Sequence, residues 1–343
     1  MKKPFLYFSI VLVLAALAFY LYRHNQKSAT FSSKAFAIED TASITKVFLA
    51  DKKGNKVTLT RQKAGQWMVN NKFAIRNDAI NMLLKTIKLV EIKNAVAKTA
   101  HNNIVKDMAA RAVKMEIYTN DAEEPELVYY IGGPNQTTSG SFMLMQGTET
   151  PYVCHIPGFE GYLSTRFMVK EKEWRNTEIF NFTTISEIKS VSVQYPKRPA
   201  SSFELTVNST NSFTVRSLQT GKEIPNLDTS AVKDYLIGWK FVNFEAFENV
   251  PKAEKDSLLA LGCEYIFTMK KSDSSSKTIS AFLKRPSTFA PQYNNRPAMQ
   301  DLDRMYGQLP GETDWVIIQF FVFDKLMIGI DDFRKGPKPM RNS

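Results

Sequence analysis

The chain has 343 residues, of which 43% are hydrophobic, and a formal net charge of +11. This length allows two domains of ordinary size, and two cysteines are too few for the disulfide framework of a small secreted protein. Much of the basic excess precedes the first acid, Glu39, and no predicted helix carries a basic stripe interleaved with aromatic residues. We therefore expect no nucleic-acid partner.

The first predicted element is a membrane anchor over residues 1–23. Residues 5–22 form an apolar run in which Ser9 is the only strongly polar side chain. At ~1.5 Å per residue, a helix of this run would reach about 27 Å, close to the ~30 Å hydrocarbon core of a bilayer. The only triplet suited to signal cleavage, residues 35–37, lies well beyond the run, so we interpret the run as an uncleaved anchor.

Residues 24–43 are polar and lack a sustained period, which predicts a tether between the anchor and the folded part. The basic residues on the two sides of the anchor are nearly balanced and barely orient it. A short basic N-terminus before a long chain favours a single-pass protein with its N-terminus inside and the bulk of the chain translocated.

A first α+β repeat is predicted over residues 44–163. Alternating apolar residues predict strands at 44–49 and 57–59, joined by a turn at Gly54 and Asn55, and a third strand at Trp67 and Val69. Residues 77–91 then predict an amphipathic helix with Asn77 as its N-cap. A second short helix and four strands complete the repeat.

The pattern recurs after the midpoint. Residues 164–184 predict a helical junction, residues 185–333 a second α+β repeat, and residues 334–343 a basic tail. Five apolar residues of the two long helices match at one constant offset: Ile80, Leu83, Leu84, Ile87 and Val90 with Val232, Tyr235, Leu236, Trp239 and Val242. The predicted fold class is α+β, an N-terminal transmembrane helix followed by two tandem repeat domains, each a mostly antiparallel sheet covered by helices.

No catalytic or metal-binding motif is apparent. Cys154 and His155 are neighbours on a predicted strand, so their side chains point to opposite faces and cannot form a nucleophile and base pair. His155 with a distant partner stays open as an enzymatic alternative, and so does the pairing of Cys154 with Cys263, for which two separate buried thiols are favoured. Loop acids fit no calcium-binding spacing: Asp301, Asp303, Asp331 and Asp332. We predict no catalytic residue, cofactor or metal site.

The predicted partner-binding residues lie where the duplication gives no packing role. Trp174 and Arg175 belong to the charged junction, for which the alternative is an inter-domain staple. Residues 285–299 form a proline- and aromatic-rich loop that the first repeat lacks. Aromatic and arginine side chains dominate interface hot spots, and insertions in a scaffold often carry function. The candidates are Trp174, Arg175, Phe289, Tyr293 and Arg296.

The chain resembles an uncharacterised bacterial family called domain of unknown function 4340. The resemblance rests on GQWMV with Gly65, Trp67 and Val69, on the helix NDAINMLLKTI that begins near Asp78, and on YYIGGP with Tyr130, Gly132 and Gly133. It implies a single N-terminal membrane helix and an extracytoplasmic α+β region, often duplicated, and hence a single-pass protein of the bacterial inner membrane with the bulk of the chain in the periplasm. It also implies an association with ABC-type export and gliding-motility systems, and supplies no catalytic residues.

These observations predict a non-enzymatic, membrane-tethered extracytoplasmic scaffold or adaptor, accessory to a transporter or a surface machinery. Its expected partners are the inner membrane, through residues 5–22, and a membrane protein. An envelope glycan- or lipid-binding module that uses a cleft between the repeats is the alternative. An envelope hydrolase ranks last, because paired catalytic groups are missing.

Overall fold

The computed structural model describes residues 32–286, 300–311 and 313–336. The predicted anchor lies outside these residues, as do most of the tether and the end of the basic tail. Within the described residues, no helix is long and apolar enough to cross a membrane. The chain divides into two compact units, with the boundary between Asn176 and Thr177.

The predicted α+β class is wrong, because the described residues are mostly β-sheet. A nine-stranded and an eight-stranded antiparallel sheet dominate, and the six helices of the described residues are short. The sequence prediction overweighted the helices because an amphipathic period is easy to recognise, whereas strands of two or three residues carry almost no pattern. Each long helix covers only part of a wide sheet.

Unit 1 consists of one large sheet with two long helices and a short one. Its elements are β1 Ile44–Ala50, β2 Lys56–Arg61, β3 Trp67–Val69, β4 Phe73–Ala74, α1 Asn77–Leu89, β5 Glu91–Ala95, α2 Lys98–Arg111, β6 Val113–Thr119, β7 Leu127–Pro134, β8 Ser141–Met145, β9 Tyr152–His155 and α3 Glu171–Trp174. The strand order is β4-β3-β2-β1-β6-β7-β8-β9-β5.

Helix α1 closes over the sheet of unit 1 with one apolar face. Ile80, Leu83 and Ile87 are buried in the same cluster as the strand residues, and Leu84 is partly buried against it. The helix begins at Asn77, so Arg76 and not Asn77 occupies the N-cap position, and no side chain caps it. Asp78 in the first turn instead pairs with Arg76.

Unit 2 has a large sheet and a two-stranded ribbon. Its elements are β10 Glu178–Phe180, β11 Ile188–Gln194, β12 Phe203–Ser209, β13 Ser212–Ser217, α4 Thr229–Gly238, β14 Val242–Asn243, β15 Ala246–Glu248, α5 Lys252–Leu261, β16 Tyr265–Lys271, β17 Ser276–Leu283, β18 Arg304–Gln308, β19 Trp315–Gln319 and α6 Phe320–Phe323. The large sheet has the order β13-β12-β11-β16-β17-β18-β19-β15, and β10 pairs with β14.

Apart from the additional edge strand β4, the large sheets of the two units share one strand order. Helices α1 and α4, which carry the residues with the constant offset, occupy the same place in that order. In β1, Val47 pairs with Leu59 and Ile117, and in β11 Val191 pairs with Leu205 and Met269. Superposition of the two units stays a prediction.

The predicted helical junction at residues 164–184 is helical only in part. It contains a 3-10 turn at Ser164–Arg166 and the four-residue helix α3, but also strand β10. Ile179 and Phe180 of β10 are buried in the core of unit 2, and Trp174 of α3 in the core of unit 1. The segment therefore supplies packing to both units and is not a separate helical element.

Candidate binding grooves

Trp174 and Arg175 are buried residues of unit 1 and not a partner surface. The Trp174 indole is fully buried, and its Nε1–H donates to the Met168 carbonyl at 2.9 Å. The Arg175 guanidinium lies 3.7 Å from the centre of the Phe73 ring. Backbone hydrogen bonds, such as Asn176 N–H to the Ala74 carbonyl, pin this segment beside β4. The sequence prediction for both residues is corrected on this ground, because buried side chains cannot meet a partner.

The other three candidates, Phe289, Tyr293 and Arg296, lie outside the described residues. They belong to the part of the sequence between β17 and β18, two strands that pair from Ser280 to Leu283 and Met305 to Gln308. Their role as partner-binding residues stays a prediction.

The groups that could support catalysis are separated. Cys154 is buried, and burial raises the pKa of its thiol, whereas the adjacent His155 is half-buried on the other side of β9. Cys154 and Cys263 are both free thiols. Within residues 32–286, 300–311 and 313–336, no three or more His, Cys, Asp or Glu side chains form a group that could hold a metal ion.

The aspartates considered as cation ligands have local structural roles. Asp301 accepts hydrogen bonds from the backbone N–H groups of Asp303 and Arg304 and from the Lys284 ammonium. Asp332 accepts from the Gly329 N–H. These bonds hold turns, as short acidic side chains commonly do.

Both units expose several large apolar side chains, and one pair of them lies at matching positions. In unit 1 they are Leu89, Phe159 and Tyr162, and in unit 2 they include Ile237, Phe241, Leu302 and Phe321. Leu89 ends α1, and the constant offset of the helices places Phe241 at the matching position after α4. Phe159 follows β9 and Phe321 follows β19. The exposed leucines 218, 259 and 261 lie elsewhere in unit 2.

The unit 1 groove is an open cleft of about 540 Å³ between α1 and the segment after β9. It is lined by Asn81, Met82, Lys85, Leu89, Ile156, Pro157, Gly158, Phe159 and Arg166. Lys85 lies three or four residues from Asn81, Met82 and Leu89, so these side chains share a face of the helix that the core does not use. Volumes of this size are typical of sites for small ligands or for a few protein side chains.

A glycine-containing loop places Phe159 beside the Arg166 guanidinium. The carbon at the centre of that guanidinium lies 4.3 Å from the centre of the Phe159 ring, a favourable cation–π distance. Gly161 has a φ of +139°, and a side chain there would begin 3.1 Å from the Phe159 ring. Glycine at position 161 therefore allows the Phe159 ring to occupy this position, because glycine adopts the positive φ without strain and has no side chain to contact the ring.

Arg166 is held by unit 1 but is not neutralised by it. The buried Ser141 hydroxyl accepts hydrogen bonds from the N–H groups of Leu163 and Ser164, which fixes the 3-10 turn that carries Arg166. The Arg166 Nη1–H donates to the Thr86 hydroxyl at 3.0 Å. Within the described residues no carboxylate pairs with Arg166, and burial lowers its pKa. The groove thus presents Arg166 and Lys85 without an acid in its lining.

The unit 2 groove has a different charge arrangement. It encloses about 460 Å³ and is lined by Leu302, Asp303, Arg304, Gln319, Phe320, Phe321 and Asp324. Glu245 accepts hydrogen bonds from the Arg304 Nε and Nη2 groups at 2.7 Å and 3.0 Å, which lowers the pKa of Glu245. Two further acids line the groove, so its arginine is already balanced. Phe321 at its edge is 90% exposed.

Phe241 extends the apolar surface of unit 2 at a conformational cost. It is 62% exposed and has a φ of +58°, a left-handed conformation that a bulky residue rarely adopts. Helix α6, which carries Phe321, lies alongside β14, which begins directly after Phe241. We use the term unit 2 apolar surface for Ile237, Phe241 and Phe321.

Sequence reasoning missed Arg166, Phe159 and Phe321. Two weak signals were present: an aromatic residue between the glycines of PGFEGY, and the adjacent phenylalanines 320 and 321, which cannot both face inward from an extended segment. The contact of Arg166 with Thr86 joins residues far apart in the chain and leaves no local signal.

Comparison with protein-family models, with curated proteins and with solved structures gives no match. The resemblance to domain of unknown function 4340 stays a prediction.

Proposed function

We propose that this protein is a non-enzymatic adaptor that binds a partner protein through the unit 1 groove and the unit 2 apolar surface. The observation that carries the proposal is that each unit exposes large apolar side chains at a groove: Leu89 and Phe159 line the unit 1 groove, and Phe321 lines the unit 2 groove. Isolated exposed apolar residues need no explanation. Exposed apolar side chains grouped at a groove in both units are what a binding role would produce.

The chemistry of these surfaces supports protein binding. Phenylalanine rings beside arginine and lysine side chains supply the large contact areas and directional contacts that dominate interface hot spots. The described residues around the grooves offer no nucleophile with an adjacent base, which is the arrangement an enzymatic role would need. The location at the inner membrane and the association with a transporter or surface machinery stay predictions from the sequence.

The test compares two exposed side chains of unit 2. The full chain, with Phe321→Ser or with Leu261→Ser as the matched control, is purified from detergent-solubilised cells together with its bound proteins. Leu261 is 68% exposed and lies outside both surfaces. We expect Phe321→Ser to lose a stoichiometric partner that the wild type and Leu261→Ser retain. Both variants should keep the melting temperature within about 2 °C of the wild type, because exposed substitutions change stability little.

The captured protein must then be identified, purified and titrated against each variant. An affinity at least about tenfold weaker for Phe321→Ser than for Leu261→Ser would support the adaptor role, since hot-spot side chains commonly contribute this much. Equal affinities, or the absence of any stoichiometric partner, would refute it. A lipid or glycan that co-purifies in place of a protein would favour the ligand-binding alternative.

A further inference from the structure

The unit 1 groove leaves two cations without a counter-charge. Arg166 is half-buried, and its single side-chain hydrogen bond uses Nη1. Within the part of the chain that the structure describes, the other N–H groups of this guanidinium have no protein acceptor, and Lys85 in the same groove forms no ion pair. Partial removal of a charged group from water is unfavourable unless the charge is paired. An anion that binds in this groove would pair with the Arg166 guanidinium and offset that cost.

The orientation of Arg166 suits a planar anion. The contact with the Phe159 ring and the bond to Thr86 fix the guanidinium in one place before any ligand arrives. A fixed guanidinium binds a carboxylate through two parallel N–H···O bonds and loses little entropy in doing so. Met82, Leu89 and Ile156 provide apolar walls around it.

Two features favour a single carboxylate over a phosphate. The groove extends to the C-terminal end of α1 at Leu89, where the helix dipole is negative and disfavours a multiply charged anion more than a single carboxylate. Phosphate sites usually gather several cations or a helix N-terminus. This groove offers one arginine and one lysine, and much of its remaining lining is apolar.

From these contacts we infer that the unit 1 groove binds an acidic segment of the partner protein. One carboxylate of that segment pairs with the Arg166 guanidinium, Lys85 attracts it, and a neighbouring apolar side chain packs on Phe159. The inference rests on the proposed adaptor function and names the chemistry of the partner.

The experiment uses two small probes that differ only in the terminal group, which is a carboxylate in N-acetylphenylalanine and a neutral carboxamide in N-acetylphenylalaninamide. Each is titrated into the full chain labelled with ¹³C at its methionine methyl groups. The Met82 methyl lines the groove and reports binding there, and its signal is assigned by its loss in Met82→Leu. We expect the acid to bind at least about tenfold more tightly than the amide, because bonds to charged groups are the stronger ones.

Variants assign this preference to Arg166. Arg166→Gln should remove the difference between acid and amide, and Arg166→Lys should leave a reduced one, because lysine keeps the charge without the planar fork. The exposed Lys106 on α2 supplies the control Lys106→Gln, which changes the net charge equally and should retain the preference. Thr86 keeps its hydrogen bond to the Met82 carbonyl without Arg166, so we expect the variants to fold.

Three results would overturn the inference. The first is equal binding of acid and amide to the wild type, and the second is a preference for the acid that survives in Arg166→Gln. The third is a preference of the groove for a phosphate group over the carboxylate. The last is tested with phenyl phosphate and with phosphatidylglycerol vesicles: tighter binding of phenyl phosphate than of the acid, or an Arg166-dependent shift of the Met82 signal by vesicles, would count against an acidic segment.

The outcomes separate this inference from the adaptor role. If the groove binds acid and amide equally while Phe321→Ser still loses the partner, only the inference fails. If the acid binds through Arg166 while Phe321→Ser and Leu261→Ser retain the same partner, only the proposed function fails. If Arg166→Gln does not fold, the acid and amide titrations of the wild type and of Arg166→Lys still decide the matter.

Discussion

The two grooves follow corresponding strands, β9 and β19, yet they differ in charge. In unit 1, Arg166 and Lys85 face a lining without acids. In unit 2, Arg304 is bound by Glu245, and Asp303 adds a negative charge to the lining. Both units expose apolar side chains after these strands, whereas the charged residues of the two grooves differ, and we expect these charges to determine what each groove binds.

One helix position shows how the difference arises. Thr86 of α1 matches Gly238 of α4 at the constant offset of the two helices. In unit 1 the Thr86 hydroxyl accepts a bond from Arg166. In unit 2 the side chains of Lys325 and Leu326 lie 3.6 Å and 3.7 Å from the point where a side chain at Gly238 would begin. The place that receives an arginine in one unit is therefore covered in the other.

The largest effect is expected for Trp174→Ala. Because Trp174 is fully buried in unit 1, this change should lower the free energy of unfolding by about 3–5 kcal/mol. Phe321→Ser in unit 2 should cost no more than about 0.5 kcal/mol. Chemical denaturation followed by circular dichroism measures both. A loss below about 1 kcal/mol for Trp174→Ala would indicate that the Trp174 side chain is exposed, and would contradict the contrast between this buried residue and the exposed Phe321.

The next effect compares leucines at matching positions of the long helices. Leu236 is fully buried, so Leu236→Ala should cost about 2–5 kcal/mol. Leu84 is only partly buried, and Leu84→Ala should cost less than about 2 kcal/mol, since it removes less packing and leaves no closed cavity. Denaturant titrations of both variants test this order. Equal costs would mean that α1 and α4 pack equivalently.

A smaller difference is expected between two buried indoles. The Trp174 N–H is bonded to Met168, whereas the Trp239 N–H lies near the Tyr235 hydroxyl without hydrogen-bond geometry. Trp174→Phe should therefore destabilise by about 1 kcal/mol more than Trp239→Phe, which removes a donor that is already unsatisfied. Thermal and chemical unfolding of the pair decide it, and a larger cost for Trp239→Phe would show that its N–H is bonded in solution.

The smallest effect concerns pH and the unit 2 groove. Arg304 holds the pKa of Glu245 below its ordinary value of 4.5, so the pair stabilises the fold above that value and loses its contribution as pH falls through the lowered pKa. Both side chains are partly exposed, so the contribution should not exceed about 1 kcal/mol. The stability difference between wild type and Glu245→Gln should shrink as the pH falls below 4.5. A difference that grows towards acid pH would contradict this sign.

Glu245→Gln also tests the charge comparison directly. Asp303 and Asp324 remain in the lining after Arg304 is released. We therefore expect the unit 2 groove of this variant to show no preference for N-acetylphenylalanine over its amide. If the variant gained a preference for N-acetylphenylalanine, Glu245 alone would account for the difference in binding between the two grooves.

Parts of the fold with a strong local period could be predicted from the sequence. The strands expected at 44–49 and 57–59 correspond to β1 and β2, and the helix expected at 77–91 to α1. The two-residue strands β4 and β14 were missed because so short a segment carries no period. Strand β18 was missed because Gly307 weakens a strand pattern. The structure explains this glycine, since a side chain there would begin 2.7 Å from Ile279.

The grooves could not be predicted in the same way. Trp174 reads as a surface aromatic because charged residues surround it in the chain, yet its burial depends on contacts with β4 and the sheet of unit 1. Arg166 lies in the same charged segment and was not among the predicted site residues. Its environment depends on Thr86, Ser141 and Phe159, which only the folded chain brings to one place.

The left-handed backbone at Phe241 has a consequence for evolution and engineering. Glycine is the usual residue in this conformation after a helix, and a bulky side chain there costs about 1–2 kcal/mol. Phe241→Gly should therefore raise the melting temperature and at the same time remove an exposed ring from the unit 2 apolar surface. A chain selected only for stability would carry the glycine. Under the proposed adaptor role, the phenylalanine is a trade-off that favours recognition over stability.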